Sequence, residues 1–177
     1  MALAPGSETL SNSELLTHTL CGLMADLLVK KGLFFAAAES CTGGLIAAAC
    51  TDLSGSSNWF ERGFVTYSNA AKTDMLGVDA ALINQHGAVS EAVARAMVQG
   101  AIRHSGAQVA VAVTGVAGPT GGTAAKPVGT VWFGFATPTG VITETRHFDG
   151  DRAAVRQATV RHALARLVEL LKVEATS

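Results

Sequence analysis

Short apolar runs alternating with helical repeats predict an α/β fold of three layers (α/β/α), with helices on both faces of a mixed, mainly parallel sheet. Three features carry that expectation. Residues 33–38 and 109–113 are apolar runs too short for helices, and each opens into a polar, glycine-bearing turn. Stretches with leucine or valine at helical spacing lie between the runs. Two later runs, 128–136 and 141–148, are joined through Pro138-Thr139-Gly140, the pattern of a strand pair, so one antiparallel member is expected.

In chain order, residues 1–12 are expected to form a flexible leader, followed by one domain over 13–173. The helical pattern starts at Ser11, with Leu16, Leu20, Leu23 and Leu27 on one stripe, and Gly32 ends it. The run 33–38 reads as a buried strand that passes directly into Glu39-Ser40-Cys41-Thr42-Gly43-Gly44. The small residues of 45–50 suit a helix packed closely on that strand. After a turn-rich stretch at 52–57, residues 64–67 resemble a strand, and Ser68 or Asn69 caps a short helix through Met75. A short helix over 79–86 is followed by one from Ser90 to about His104, with Glu91 favourably placed in its first turn. Strand 109–113 leads into a loop over 114–122. The last helix, from about Asp151, places Val160, Leu164, Leu167 and Leu171 on one face.

Composition excludes several functions. The chain has 177 residues, 49% hydrophobic and 15% charged, enough for one well-cored domain and too apolar for a disordered tail. A net charge of −1 with no cluster of either sign argues against nucleic-acid binding. The longest uncharged stretch, 104–125, is broken by Pro119 and several glycines, so no membrane span is expected. No signal-peptide pattern opens the chain, and a cytoplasmic location is expected. Three cysteines without CxxC spacing and five scattered histidines argue against a disulfide framework or a metal site. No cofactor is expected.

In open α/β sheets ligands bind beyond the carboxyl ends of strands, which here selects residues 39–44, 67–72 and 114–122. Ser40 stands where a strand turns toward a helix; its hydroxyl is a candidate nucleophile, and the amides after it are candidate oxyanion donors. The competing reading is a helix N-cap, which spacing alone favours. Cys41 is a rival nucleophile with no histidine partner in the sequence, and a buried structural thiol is its alternative. Lys72, in the first turn of a helix, is a candidate base kept neutral by the helix dipole and burial; a solvated surface lysine is the alternative. Tyr67 either relays a proton or is an ordinary strand aromatic. The glycine-rich 114–122 segment either presents amides to a ligand or simply connects two elements; it ends in neither GKS nor GKT, so it is not a P-loop. Lys126 and Arg152 are candidate phosphate contacts, with a solvated role equally open.

At these residues the sequence resembles the CinA family, and within it the C-terminal domain with nicotinamide-nucleotide amidohydrolase activity. The matching segments are AESCTGGLIAA (38–48), GSSNWFERGFVTYSNAAK (55–72), GAVSEAVARAM (87–97), AVTGVAGPTGG (112–122), KPVGTVWFG (126–134) and GDRAAVR (150–156). The resemblance implies hydrolysis of the carboxamide of nicotinamide mononucleotide to nicotinic acid mononucleotide and ammonia, and a homo-oligomer of two or more chains. It implies Ser40 as nucleophile, assisted by Lys72 and Tyr67. Substrate binding falls to Cys41, Thr42, Gly43, Gly44, Thr114, Gly115, Gly118 and Arg152. A non-catalytic nucleotide-binding or regulatory module is the alternative function.

Overall fold

The computed structural model describes residues 10–173; positions 1–9 of the expected leader lie outside them, whereas Ser11 and Asn12 already form the cap and first residue of helix Asn12–Lys31. Five strands form one sheet in the order β2-β1-β3-β4-β5. They are β1 (Phe35–Glu39), β2 (Phe60–Val65), β3 (Val109–Gly115), β4 (Thr130–Thr137) and β5 (Gly140–His147). Strand β1 pairs in parallel with β2 and β3, whereas β4 is antiparallel to both β3 and β5. All strands except β4 therefore run the same way, the mixed and mainly parallel sheet that the sequence predicts.

Helices α1 (Asn12–Lys31), α2 (Leu45–Thr51) and α6 (Arg152–Val173) cover one face; α3 (Asn69–Leu76), α4 (Ala80–His86) and α5 (Glu91–Arg103) cover the other. Strand β1 is buried along its whole length, as a central strand covered on both faces must be. Its alternate residues feed two cores: Phe35 and Ala37 pack toward α1 and α6, Ala36 and Ala38 toward α5.

Local signals set most helix ends. Ser11 and Glu14 form a reciprocal capping box at the start of α1, and Gly32 ends it at φ 64°. Ser68, Asp79 and Ser90 cap α3, α4 and α5 through their side chains. In α6 the expected Val160, Leu164, Leu167 and Leu171 are all buried.

Three expectations need correction. Helix α1 covers only half of its leucine stripe: Leu20 and Leu27 pack partly buried against the core, Leu16 and Leu23 stay 50% and 43% exposed, and Cys21, Met24 and Leu28 are the fully buried residues. The smaller cysteine and flexible methionine fit where α1 meets α2 and α6, which leaves the leucines along the margin. Strand β2 starts at Phe60 rather than Phe64, because an edge strand carries polar residues such as Glu61 and Arg62 without an apolar run. It stops at Val65 because the carbonyls of Thr66 and Tyr67 turn aside to accept from Lys72. Finally, Thr114 and Gly115 belong to β3 rather than to a loop, since β4 extends far enough to pair with them.

Candidate active site

Sheet register brings the site together. Glu39 lies beside Val65 on one side and Val113 on the other, so the next residues, Thr66, Ser40 and Thr114, stand in a row at the carboxyl edge. By strand alternation all three continue the side that faces α3 and α5. The Ser40 amide donates to the Val113 carbonyl at 3.1 Å and the Thr66 amide to the Glu39 carbonyl at 2.8 Å, which carries the sheet pairing into this row.

Helix α3 drops Lys72 onto it. The side chain is only 1% exposed, and Nζ lies 3.0 Å from Ser40 Oγ. It donates to the Thr66 carbonyl at 2.9 Å and the Tyr67 carbonyl at 3.3 Å. Burial holds the Lys72 ammonium below its usual 10.5, with Cys41 as a smaller opposing influence. A neutral amine has two hydrogens and one lone pair. The two carbonyls can take both hydrogens, which leaves the lone pair to accept from the Ser40 hydroxyl. Burial, which disfavours the charged form, is the main cause of the shift.

Ser40 is not the N-cap of α2. That position is held by Gly44, which offers no side chain. The Glu39 side chain takes the capping role: its oxygens accept from the amides of Ile46 at 2.8 Å and Ala47 at 3.0 Å, and from the Thr42 hydroxyl at 2.6 Å. The Ser40 hydroxyl is thereby released to face Lys72. Gly43 and Gly44 make the turn at φ 58° and 106°, values that side chains rarely adopt.

Cys41 is 6% exposed, and burial pushes its thiol up to about 11. Thiolate is therefore scarce at neutral pH, which weakens its claim as nucleophile. The Tyr67 ring is exposed; its backbone carbonyl touches Lys72, whereas its hydroxyl accepts from Arg152 Nη2 at 3.1 Å. Arg152 Nη1 also donates to the Gly118 carbonyl at 2.9 Å, so this arginine ties the β2–α3 and β3–β4 connections together. The buried Thr114 hydroxyl donates to the Ala88 carbonyl at 2.9 Å. Gly118, at φ 81°, has no room for a side chain because a Cβ would lie 2.5 Å from Val128. Lys126 reaches the His86 carbonyl at 2.9 Å.

Two participants were not singled out from the sequence. Arg156 donates through Nε to the Cys41 carbonyl and through Nη2 to the Thr42 carbonyl, both at 3.1 Å. Its position four residues after Arg152 on one helix was the available signal. Glu39 could have been noticed as an acidic residue ending an apolar strand just before a helix start.

Thr66 Oγ1 is buried with no hydrogen-bond partner among the described residues. Thr66→Val keeps the shape and removes that hydroxyl, so it is expected to stabilise the fold by about 1 kcal/mol in urea unfolding. A loss of stability would mean that the hydroxyl has a partner.

A cavity of about 470 Å³ lies between α1, α2 and α6, lined by Leu45, Ala48, Asp52, His18 and Val160 among others. It contains none of the residues assigned to the site, and the chemistry follows the Ser40–Lys72 geometry instead. Among the described residues no three His, Cys, Asp or Glu side chains group as metal ligands, and no helix is long and apolar enough to cross a membrane.

Residues 17–171 match the model of the CinA C-terminal domain. A nicotinamide-nucleotide amidohydrolase of Enterobacter agglomerans is 54% identical over 162 residues, covering 90% of this chain and 99% of the relative. The enzyme of the same name from Escherichia coli is 50% identical over 159 residues, covering 89% and 95%. Among solved structures, a competence-damaged protein (CinA) superfamily member from Klebsiella pneumoniae superposes with a TM-score of 0.85 at 40% identity, covering 88% of this chain and 98% of that one.

Proposed function

The chain belongs to the CinA C-terminal domain family, and on that basis we propose that it is an amidohydrolase converting nicotinamide mononucleotide to nicotinic acid mononucleotide and ammonia. One observation carries the mechanism: a buried lysine amine lies 3.0 Å from the hydroxyl of Ser40. Lys72 accepts the Ser40 proton, and Oγ attacks the carboxamide carbon. The positive pyridinium ring withdraws electrons from that carbonyl and makes it more electrophilic.

The amides of Cys41 and Thr42, which donate to no backbone carbonyl among the described residues, receive the oxyanion. Collapse of the tetrahedral intermediate breaks the C–N bond, and Lys72 returns its proton to the leaving ammonia. Water then attacks the acyl-enzyme, giving one proton to Lys72, which passes it to Ser40 Oγ as the ester C–O bond breaks; the acid product releases the second water proton to solvent and departs as carboxylate. Arg152, bound to both flanking connections, supplies positive charge for the phosphate. Residues 13–173 act as one amidohydrolase domain, in the cytoplasm, and as a homo-oligomer.

The deciding experiment incubates pure protein with nicotinamide mononucleotide and measures ammonia and nicotinic acid mononucleotide. Equal release of both supports the proposal. Binding of the nucleotide without release would favour a non-catalytic nucleotide-binding module.

A further inference from the structure

The turn that carries Ser40 is held from two sides. On one, the Glu39 side chain binds the Thr42 hydroxyl and the first free amides of α2. On the other, Arg156 reaches over from the second turn of α6 and donates to two successive carbonyls, those of Cys41 and Thr42. Arg156 makes no recorded ion pair among the described residues, so its planar fork is spent on the backbone. A guanidinium that grips two neighbouring carbonyls fixes the planes of two peptide units.

The direction of the grip has a consequence. In a trans peptide the C=O and the following N–H point opposite ways. Holding the Cys41 carbonyl toward Arg156 therefore turns the Thr42 amide away from it. Holding the Thr42 carbonyl does the same for the Gly43 amide, which is already spent on the Ser40 carbonyl at 3.1 Å. Helix α6 lies on the face of the sheet shared with α1 and α2, whereas Ser40 Oγ meets Lys72 from α3 on the opposite face. The Thr42 amide is thus turned away from the α6 side of the turn, and Lys72 meets Ser40 from the face opposite α6.

We infer that Arg156 is a positioning residue: it does not touch substrate, but aligns the Thr42 amide to receive the oxyanion formed at Ser40. This inference rests on the serine–lysine reading of the site. Two glycines follow directly at positive φ, so the turn has little stiffness of its own. Glu39 fixes the Thr42 side chain and the start of α2, but neither the Cys41 nor the Thr42 carbonyl. Arg156 alone among the described side chains binds these two carbonyls.

The test compares Arg156→Ala and Arg156→Lys with the wild type, using nicotinamide mononucleotide and following ammonia release, with methylguanidinium added in a parallel series. Loss of one oxyanion donor costs on the order of 10²-fold in kcat or more. Arg156→Ala is expected to lose about that much kcat, with KM changed by less than about threefold, because the defect exists only once the oxyanion forms. Methylguanidinium should restore at least about tenfold to Arg156→Ala and nothing to the wild type. Arg156→Lys should remain impaired, since one ammonium cannot reproduce a two-pronged planar contact.

Circular dichroism and thermal melting set the folded fraction, and kcat is taken per folded molecule. A normal kcat per folded molecule would overturn the inference and leave Arg156 a structural brace. A raised KM with preserved kcat would also overturn it, making Arg156 a substrate-phosphate ligand. Ser40→Ala, run alongside, separates the two levels. An active Ser40→Ala would sink the nucleophile reading itself, whereas an inert one beside a normal Arg156→Ala would remove only the role of Arg156.

Discussion

Ser40→Ala is expected to lower kcat for ammonia release from nicotinamide mononucleotide by on the order of 10³-fold or more, by analogy with other serine hydrolases. The fold should survive, because Ser40 caps no helix: the amides of Ile46 and Ala47 are already bound by Glu39. What the substitution removes is the one hydroxyl, among the described residues, that hydrogen-bonds the Lys72 amine, at 3.0 Å. KM should change little, since the missing group forms its bond to substrate during reaction. Cys41→Ala is the matched control. Its thiol, held at about 11 by burial, is protonated at neutral pH, so that variant should keep turnover within about tenfold. The reverse pattern, an active Ser40→Ala with an inert Cys41→Ala, would make this a cysteine enzyme.

Lys72→Met is the second large effect, and it has two independent signatures. Activity should fall by about as much as for Ser40→Ala, because residues that act as a unit do not contribute additively. In the wild type, kcat/KM should decline as pH falls through the lowered lysine pKa, since the base becomes an ammonium. Whatever turnover remains in Lys72→Met should lack that limb. A Lys72→Met variant with near-normal rates and an unchanged pH profile would remove the lysine from the mechanism.

Stability gives the other signature. The folded pKa of Lys72 lies below its usual 10.5, so between the two values the unfolded chain binds more protons than the folded one. The unfolding free energy of the wild type must then rise with pH across that window, relative to Lys72→Met. The constant offset between the two proteins has competing parts, because the variant escapes the burial of an amine but leaves the Thr66 and Tyr67 carbonyls without their donor. The slope is free of that competition. Urea unfolding at pH values from neutrality toward 10.5 would reveal it, and parallel curves for the two proteins would contradict a lowered lysine pKa.

Much of the fold can be read from local pattern. Ser11 with Glu14, Ser68 and Ser90 mark helix starts because a short polar side chain can satisfy the first free amides without outside help. The late strand pair and the valine and leucine face of α6 are equally local, as their periods match the elements they form. Edge strand β2 is harder to place because half its residues are exposed and two, Glu61 and Arg62, carry charge. The leucine stripe of α1 was misleading because a repeat states which residues share a face, not which face a neighbour will cover. Among site residues, Ser40, Lys72, Tyr67 and Arg152 stand out as candidates from their positions and residue chemistry, whereas Thr114 takes its role only from the family motif.

The sequence by itself determined the order and type of the elements, the layered α/β/α class and the family motifs at the strand ends. Tertiary structure alone decided that Ser40 and Lys72, 32 residues apart, meet at 3.0 Å. It also decided that Glu39 rather than Ser40 caps α2, and that Arg156 grips the turn at Cys41 from 115 positions away. The physical reason is range. Caps and periodicities act within one or two turns of chain, whereas the depth of a lysine and the reach of an arginine depend on which strands adjoin and which helix crosses above them. Only the assembled sheet places β2, β1 and β3 side by side, and only its closed face strips water from the amine that the chemistry requires.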